Sequence, residues 1–139
     1  IPLKNITINN SMARASYLLN EKINTYNTKI TLDNKSYEVV IYNLKCNIKY
    51  KDNTINIKIT GNIDSPDSNN LSKLKNKVTK NLKDNINSLI KDEQEKKYNI
   101  SNIINYIYLK EREVNYNTYK KSNIKIDINL IEKEKNNYD

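Results

Sequence analysis

Thr54–Thr60 (TINIKIT) and Asn123–Leu130 (NIKIDINL) alternate apolar and polar residues at period 2. In a strand, such alternation puts Ile55, Ile57 and Ile59 on one face and Asn56 and Lys58 on the other. The same rule turns Ile124, Ile126, Ile128 and Leu130 inward and Lys125, Asp127 and Asn129 outward. Between the two runs, Leu71, Leu74, Val78, Leu82, Ile86, Leu89 and Ile90 recur at three- and four-residue spacing. That is the apolar stripe of an amphipathic helix, predicted from Asn70 or Ser72 to near Lys97, with Lys73, Lys77, Lys80, Lys83 and Lys91 off the stripe. Strands and a helix that are each apolar on one side bury those sides together, and the opposite sheet face is left polar.

Working outward, Lys45–Tyr50 (KCNIKY) alternates Cys46, Ile48 and Tyr50 against Lys45, Asn47 and Lys49. Lys51-Asp52-Asn53 joins it to the Thr54 run, a hairpin signature. Tyr37–Tyr42 (YEVVIY) is β-branched and aromatic, Lys29–Leu32 reads as a short strand, and Asp33-Asn34-Lys35 is turn-like. Gly61, the sole glycine, predicts a bulge or a tight exit from its strand. Ser11 is expected to cap a short helix over Met12–Leu19, and Ser101 to cap a second helix through Ile103, Ile104, Ile107 and Leu109. Lys110–Lys121 is weakly patterned, with Val114, Tyr116 and Tyr119 as expected anchors. Leu3–Ile8 reads as a short strand or lead-in, Ser65–Asn69 as a loop, and the charged segment Glu132–Asp139 as a fraying tail. The expected fold is α+β: an antiparallel sheet of about four strands, with a long helix and a second helix packed on one face, in a single domain over residues 1–139.

Composition narrows the chemistry. The 139 residues contain 11 Tyr but no Phe, Trp or His, and Ile, Asn and Lys are abundant. That looks like a coding bias towards A and T, so single Asn, Lys or Ile residues carry little functional signal. Without histidine, the commonest general base and metal ligand is missing. One cysteine, Cys46, forms no internal disulfide and builds no zinc site, and its phase with Leu44, Ile48 and Tyr50 points it into the core. Glu111 and Glu113 are two apart and would diverge on a helix, while Asp64 and Asp67 flank Pro66 in a loop with too few oxygens for calcium. One glycine cannot form a phosphate loop. No catalytic, cofactor or metal set is expected, and a hydrolase is hard to assemble from these residues. No apolar run approaches the ~20 residues of a membrane helix. A chain that begins at Ile1 is read as a fragment or processed form of a longer protein.

Net charge is +8 and pI about 9.4. A basic surface favours polyanions, although scattered lysines interleaved with acids also serve solubility. Lys45, Lys49, Lys58 and Lys125 are all predicted on the outward sheet face and form the candidate interaction surface, with the exposed side of the long helix as a second docking surface. Sheets that bind nucleic acid add stacking aromatics among their basic residues, whereas Asn and Asp are interleaved here. A basic nucleic-acid-binding α+β domain is the alternative reading.

The order of elements and the local wording resemble the C-terminal domain of GerAC-like spore germination receptor C subunits. Ser11–Asn20 (SMARASYLLN) is similar to that family's short helix, with Arg14 and Ala15 at its Arg-Gly positions. Arg14 therefore joins the four lysines as a candidate contact. Tyr37–Gly61 resembles a strand pair ending in a Gly-Asn step, here Gly61-Asn62. Leu71–Tyr98 resembles the long Lys/Glu-rich helix that closes with Gln94 and Tyr98. Asn99-Ile100 stands at an Asp-Ile position, and Asn123–Lys133 at the final strand. The resemblance runs from about residue 10 to residue 133. The family's Trp after the second helix is missing, with Tyr116 or Tyr119 nearest; so are the Gly-containing segment after Asp-Ile and the Arg-Thr-Gly-like ending.

The resemblance implies the C-terminal domain of a lipoprotein held at the outer face of the inner spore membrane. It implies partners that are other, membrane-associated receptor subunits, with an anionic membrane surface within reach through the parent's lipid anchor. It implies an interaction or scaffold role in germination, with no enzymatic activity and no cofactor. The lipid-bearing Cys of such proteins lies at the mature N-terminus, so Cys46 is not that residue.

Overall fold

The computed structural model describes residues 8–66 and 71–132. Among them, helix α1 (Asn10–Leu19) leads into strands β1 (Tyr26–Leu32), β2 (Lys35–Lys51) and β3 (Thr54–Asp64). Helices α2 (Leu71–Lys96), α3 (Ile103–Glu111) and α4 (Tyr116–Lys121) follow, and strand β4 (Asn123–Glu132) closes the fold. The readings of Leu3–Thr7, of Asp67–Asn69 and of the tail after Glu132 fall outside the described residues.

The sheet runs β1-β2-β3-β4. The first two connections are two-residue turns, Asp33-Asn34 and Asp52-Asn53, with φ of 51°, 65°, 52° and 59°. Positive φ at both central positions is the geometry that matches strand twist, and Asn and Asp tolerate it better than other side chains. The expected all-antiparallel sheet needs correction: β4 pairs with β3 in parallel, Thr54 beside Asn123 and Ile59 beside Ile128. The cause is the intervening helices. A parallel neighbour requires a crossover of a dozen residues or more, and α2, at 26 residues, is roughly 39 Å long. It runs back along the sheet, with Ser72 bonded to Glu132 at one end and Gln94 bonded to the Tyr119 carbonyl at the other. The chain thus re-enters the sheet at the end where β3 began, and the Asn123 amide donates to the Asn53 carbonyl.

The two segments read as separate strands, Tyr37–Tyr42 and Lys45–Tyr50, are one strand of 17 residues. A bulge divides it: Tyr42 pairs with Asn62 and Lys45 with Thr60, so Asn43 and Leu44 together oppose Gly61. Asn43 takes φ 54°. The extra residue reverses the face on which side chains lie. Before it Val39 and Ile41 are buried; after it Leu44, Cys46 and Ile48 are. Gly61 is therefore not an exit, because β3 continues through it to Asp64. The bulge is on the partner strand, and a Cβ at Gly61 would lie 3.1 Å from the Leu44 side chain and 3.3 Å from the Tyr42 carbonyl oxygen.

The helices cover the apolar face. Leu74, Val78, Leu82, Ile86, Leu89 and Ile90 of α2 meet Ile55, Ile57, Ile59 and Ile63 of β3 in one core, joined by Leu18 and Leu19 of α1 and by Ile103, Ile104 and Ile107 of α3. Asn9, not Ser11, caps α1, accepting from the Met12 amide at 2.9 Å. Asn102 occupies the cap position of α3, while the Ser101 hydroxyl accepts from the Ile103 amide at 3.2 Å. The weakly patterned stretch contains α4, capped by Asn115. Of its expected anchors, Tyr119 is fully buried and Tyr116 packs at the margin of the core, but Val114 is 61% exposed. Val114 lies in the connection between α3 and α4, outside the stripes that face the core.

Candidate functional site

The outer sheet face is the surface the helices leave open. Its residues are set by register. Lys49, Asn56 and Lys125 form one row across β2, β3 and β4. Asn47, Lys58 and Asp127 form the next, and Lys45, Thr60 and Asn129 the one beyond. Lys45, Lys49, Lys58, Lys125 and Asp127 are exposed. Asn47, Lys49, Asn56, Lys58, Lys125 and Asp127 line a shallow depression of about 280 Å³. Three of the sequence-predicted lysines thus share one concavity, and Lys45 stands one row away. Lysine ammoniums beside carboxamides suit an acidic or amide-rich partner surface. Tyr42 is the aromatic side chain that β2's alternation places on this face, beyond the bulge from Lys45, so the lysines have no stacking platform among them.

Arg14 lies elsewhere. Its guanidinium sits 3.7 Å from the centroid of the Tyr26 ring and donates to the Asn27 carbonyl of β1. It ties α1 to the sheet's β1 edge and stands apart from the lysine rows.

A buried polar centre lies on the other side of the sheet. Glu93 is fully buried on α2. Its Oε2 accepts from the amides of Ile100 and Ser101 at 2.7 and 2.8 Å. Its Oε1 accepts from the Ser101 and Tyr119 hydroxyls at 2.6 and 2.8 Å. Four donors meet one carboxylate, so α2, the connection before α3, and α4 are pinned at one point. Burial, then the Glu93 charge, pushes the Tyr119 phenol well above its ordinary range. Sequence reasoning passed over Glu93 as one acid in a Lys/Glu-rich helix. The available signal was position: it lies four residues after Leu89 and three after Ile90, on the buried stripe. Cys46 is buried as expected, and burial lifts its thiol to about 12.

A larger cleft of about 490 Å³ lies between the end of α1 and α3, lined in part by Asn20, Asn102, Asn105 and Leu109. Its amides serve the fold: Asn20 donates to the Ser16 and Ile100 carbonyls, and Asn102 donates to Asn20. No group of three or more potential metal ligands forms among the described residues, and no helix there is long and apolar enough to cross a membrane.

A two-layer α+β unit with a helix-covered face and a bare, polar, lysine-bearing face defines the class. Comparison with known proteins then places it. The family model for spore germination B3/GerAC-like proteins, C-terminal, matches residues 5–131. The chain belongs to this family of spore germination receptor subunits, as the resemblance in its sequence indicated. A crystal structure of the GerBC protein superposes with a TM-score of 0.62 at 13% identity, covering 91% of this chain and 46% of that one. At that identity the likeness is one of fold, and this chain spans about half the length of the protein it matches. No curated protein matches the sequence.

Proposed function

We propose that this chain is the non-enzymatic C-terminal docking domain of a germinant-receptor C subunit, engaging partner receptor subunits through its open sheet face. The observation that carries the reading is the row structure of that face: Lys49, Lys58 and Lys125 converge on one depression, while Ile55, Ile57, Ile59 and Ile63 of the central strand β3 are buried against the helices. The reactive candidates are spent on structure. Glu93 is fully occupied by four hydrogen bonds, and the Cys46 thiol is buried with its pKa near 12, far from a nucleophile's range. In this reading the parent is a lipoprotein at the outer face of the inner spore membrane. There the positive face is steered towards acidic partner surfaces close to anionic lipid.

The experiment is deletion of this domain from the full-length subunit, with any anchor retained. Loss of receptor assembly and of nutrient-triggered germination is expected, while the truncated subunit still reaches the membrane. Intact assembly and germination would reject the proposal.

A further inference from the structure

The two edges of the sheet are treated differently. At the β1 edge, side chains reach the strand's carbonyls: Arg14 donates to Asn27, and the Lys77 ammonium donates to Thr31 at 2.7 Å. Such coverage is how folded proteins keep an edge from pairing. Among the described residues, no side chain reaches the β4 edge in the same way. Among the described residues, the β4 backbone makes no hydrogen bond beyond its ladder with β3 and the Asn123 contact to Asn53. The ladder runs without a register shift over ten residues, and β4 contains no proline. Ile124, Ile126 and Ile128 are only partly buried at this margin, and Ile131 is 55% exposed. A long, unbroken edge with an apolar fringe is a template for another strand.

The sequence of that edge indicates which strand. Asn123-Ile124-Lys125-Ile126-Asp127-Ile128-Asn129 reads the same in both directions about Ile126, except that lysine and aspartate exchange. In an antiparallel pair related by a two-fold axis at Ile126, Lys125 of each copy opposes Asp127 of the other. Asn123 opposes Asn129, and Ile124 opposes Ile128. Directly opposed side chains share a sheet face, so the charges meet on the open face and the isoleucines on the helix side. Centring the axis on Lys125 or Asp127 would oppose like charges. Centring it on Ile128 would set Lys125 against Ile131 and Asp127 against Asn129, and centring it on Ile124 would set Lys125 against Asn123 and Asp127 against Lys121, which lies in α4 before the strand begins. Lys125 and Asp127 form no ion pair within the chain among the described residues.

We propose that the β4 edge is a self-association site, at which a second copy of this chain adds its own β4 in antiparallel register centred on Ile126. The two four-stranded sheets become one of eight strands, and the lysine rows of the two copies lie side by side on one continuous face. The partner is specified by charge self-complementarity and by an interface that is isologous, as a two-fold pair requires.

The test is a charge swap read by sedimentation velocity or light scattering over a concentration series up to about 1 mM. The wild-type chain is expected to dimerise reversibly. K125D and D127K each place like charges opposite one another twice per dimer, so each is expected to raise the dimer Kd on the order of tenfold or more. K125D/D127K restores both pairs with net charge unchanged and is expected to recover dimerisation. Both positions are exposed, so circular dichroism should show the fold intact in all three variants. A wild-type chain that stays monomeric throughout the series, which would leave the edge to a strand of another protein, would overturn the proposal. So would single variants that dimerise as wild type, or a double variant no better than the singles.

Discussion

The Tyr119 hydroxyl donates to Glu93 Oε1 at 2.8 Å, and both side chains are fully buried. The contact joins residues 26 apart in sequence and locks the short helix α4 onto the long helix α2. Among the described residues Glu93 forms no ion pair; its carboxylate is met by two amides and two hydroxyls. Removing the acceptor would strand all four donors. Glu93→Ala is expected to cost about 3 kcal/mol or more, and Tyr119→Phe, which removes one donor, about 1–2 kcal/mol. Urea denaturation of both variants checks the order. A Glu93→Ala loss below that of Tyr119→Phe would contradict the assignment of Glu93 as the hub.

The same centre sets an alkaline limit. Burial first, and then Glu93, raises the Tyr119 pKa above the ordinary tyrosine value; burial and then Asp92 raises that of Tyr98. An unfolded tyrosine ionises near 10. Between that value and the raised one the unfolded state gives up protons that the folded state keeps. Stability is therefore fully present below about pH 10 and falls as pH climbs beyond it. Tyr119→Phe should flatten that fall. Denaturation midpoints from pH 8 to pH 11 for wild type and variant read it directly, and equal slopes would exclude Tyr119 as a source.

Cys46 should be a slow thiol. Its pKa moves from 9.0 to about 12, first through burial and then through Glu21, which lowers the thiolate fraction at neutral pH roughly a thousandfold before access is considered. Labelling with a thiol reagent is expected to be at least about a thousandfold slower in the native protein than in urea. Comparable rates would mean that β2 opens readily.

Gly61→Ala tests the bulge by sign. Alanine in an ordinary strand interior would be favoured over glycine. Here the new methyl would meet Ile41 at 3.3 Å, Leu44 at 3.1 Å and the Tyr42 carbonyl oxygen at 3.3 Å. The carbonyl belongs to the backbone entering the bulge and Ile41 is fully buried, so neither can yield cheaply. A loss of about 1–3 kcal/mol is expected in equilibrium unfolding. A gain would show that the strands part at no cost.

Much of this fold was legible because its signals are local. Alternating isoleucines place Ile55–Ile59 and Ile124–Leu130 on the buried face, and the three-and-four spacing of Leu74–Ile90 lays out α2. Asp-Asn pairs announce both hairpin turns. Direction was not legible, since alternation fixes the face of β4 but says nothing of which way it runs; only the length of the crossover does. The joining of two short strand patterns into β2 was hidden by the bulge at Asn43-Leu44, which reverses the phase and so imitates a break. Three of the lysines gathered on one depression because register aligns them, whereas Arg14 went to the β1 edge, a placement its local sequence does not encode. Glu93 stayed invisible because a buried acid and a solvated one look alike until their donors, Ser101 and Tyr119, are brought together by the fold.

The central claim is that the lysine-bearing sheet face docks receptor partners. Its most direct measurement is co-purification of receptor subunits with a full-length C subunit carrying K45E/K49E/K58E, which leaves Lys125 and the β4 edge untouched. All three residues are exposed, so the fold should persist. Partner recovery is expected to drop severalfold or more relative to wild type, and nutrient germination to fall with it. Full recovery of partners with the face charge-reversed would contradict the claim.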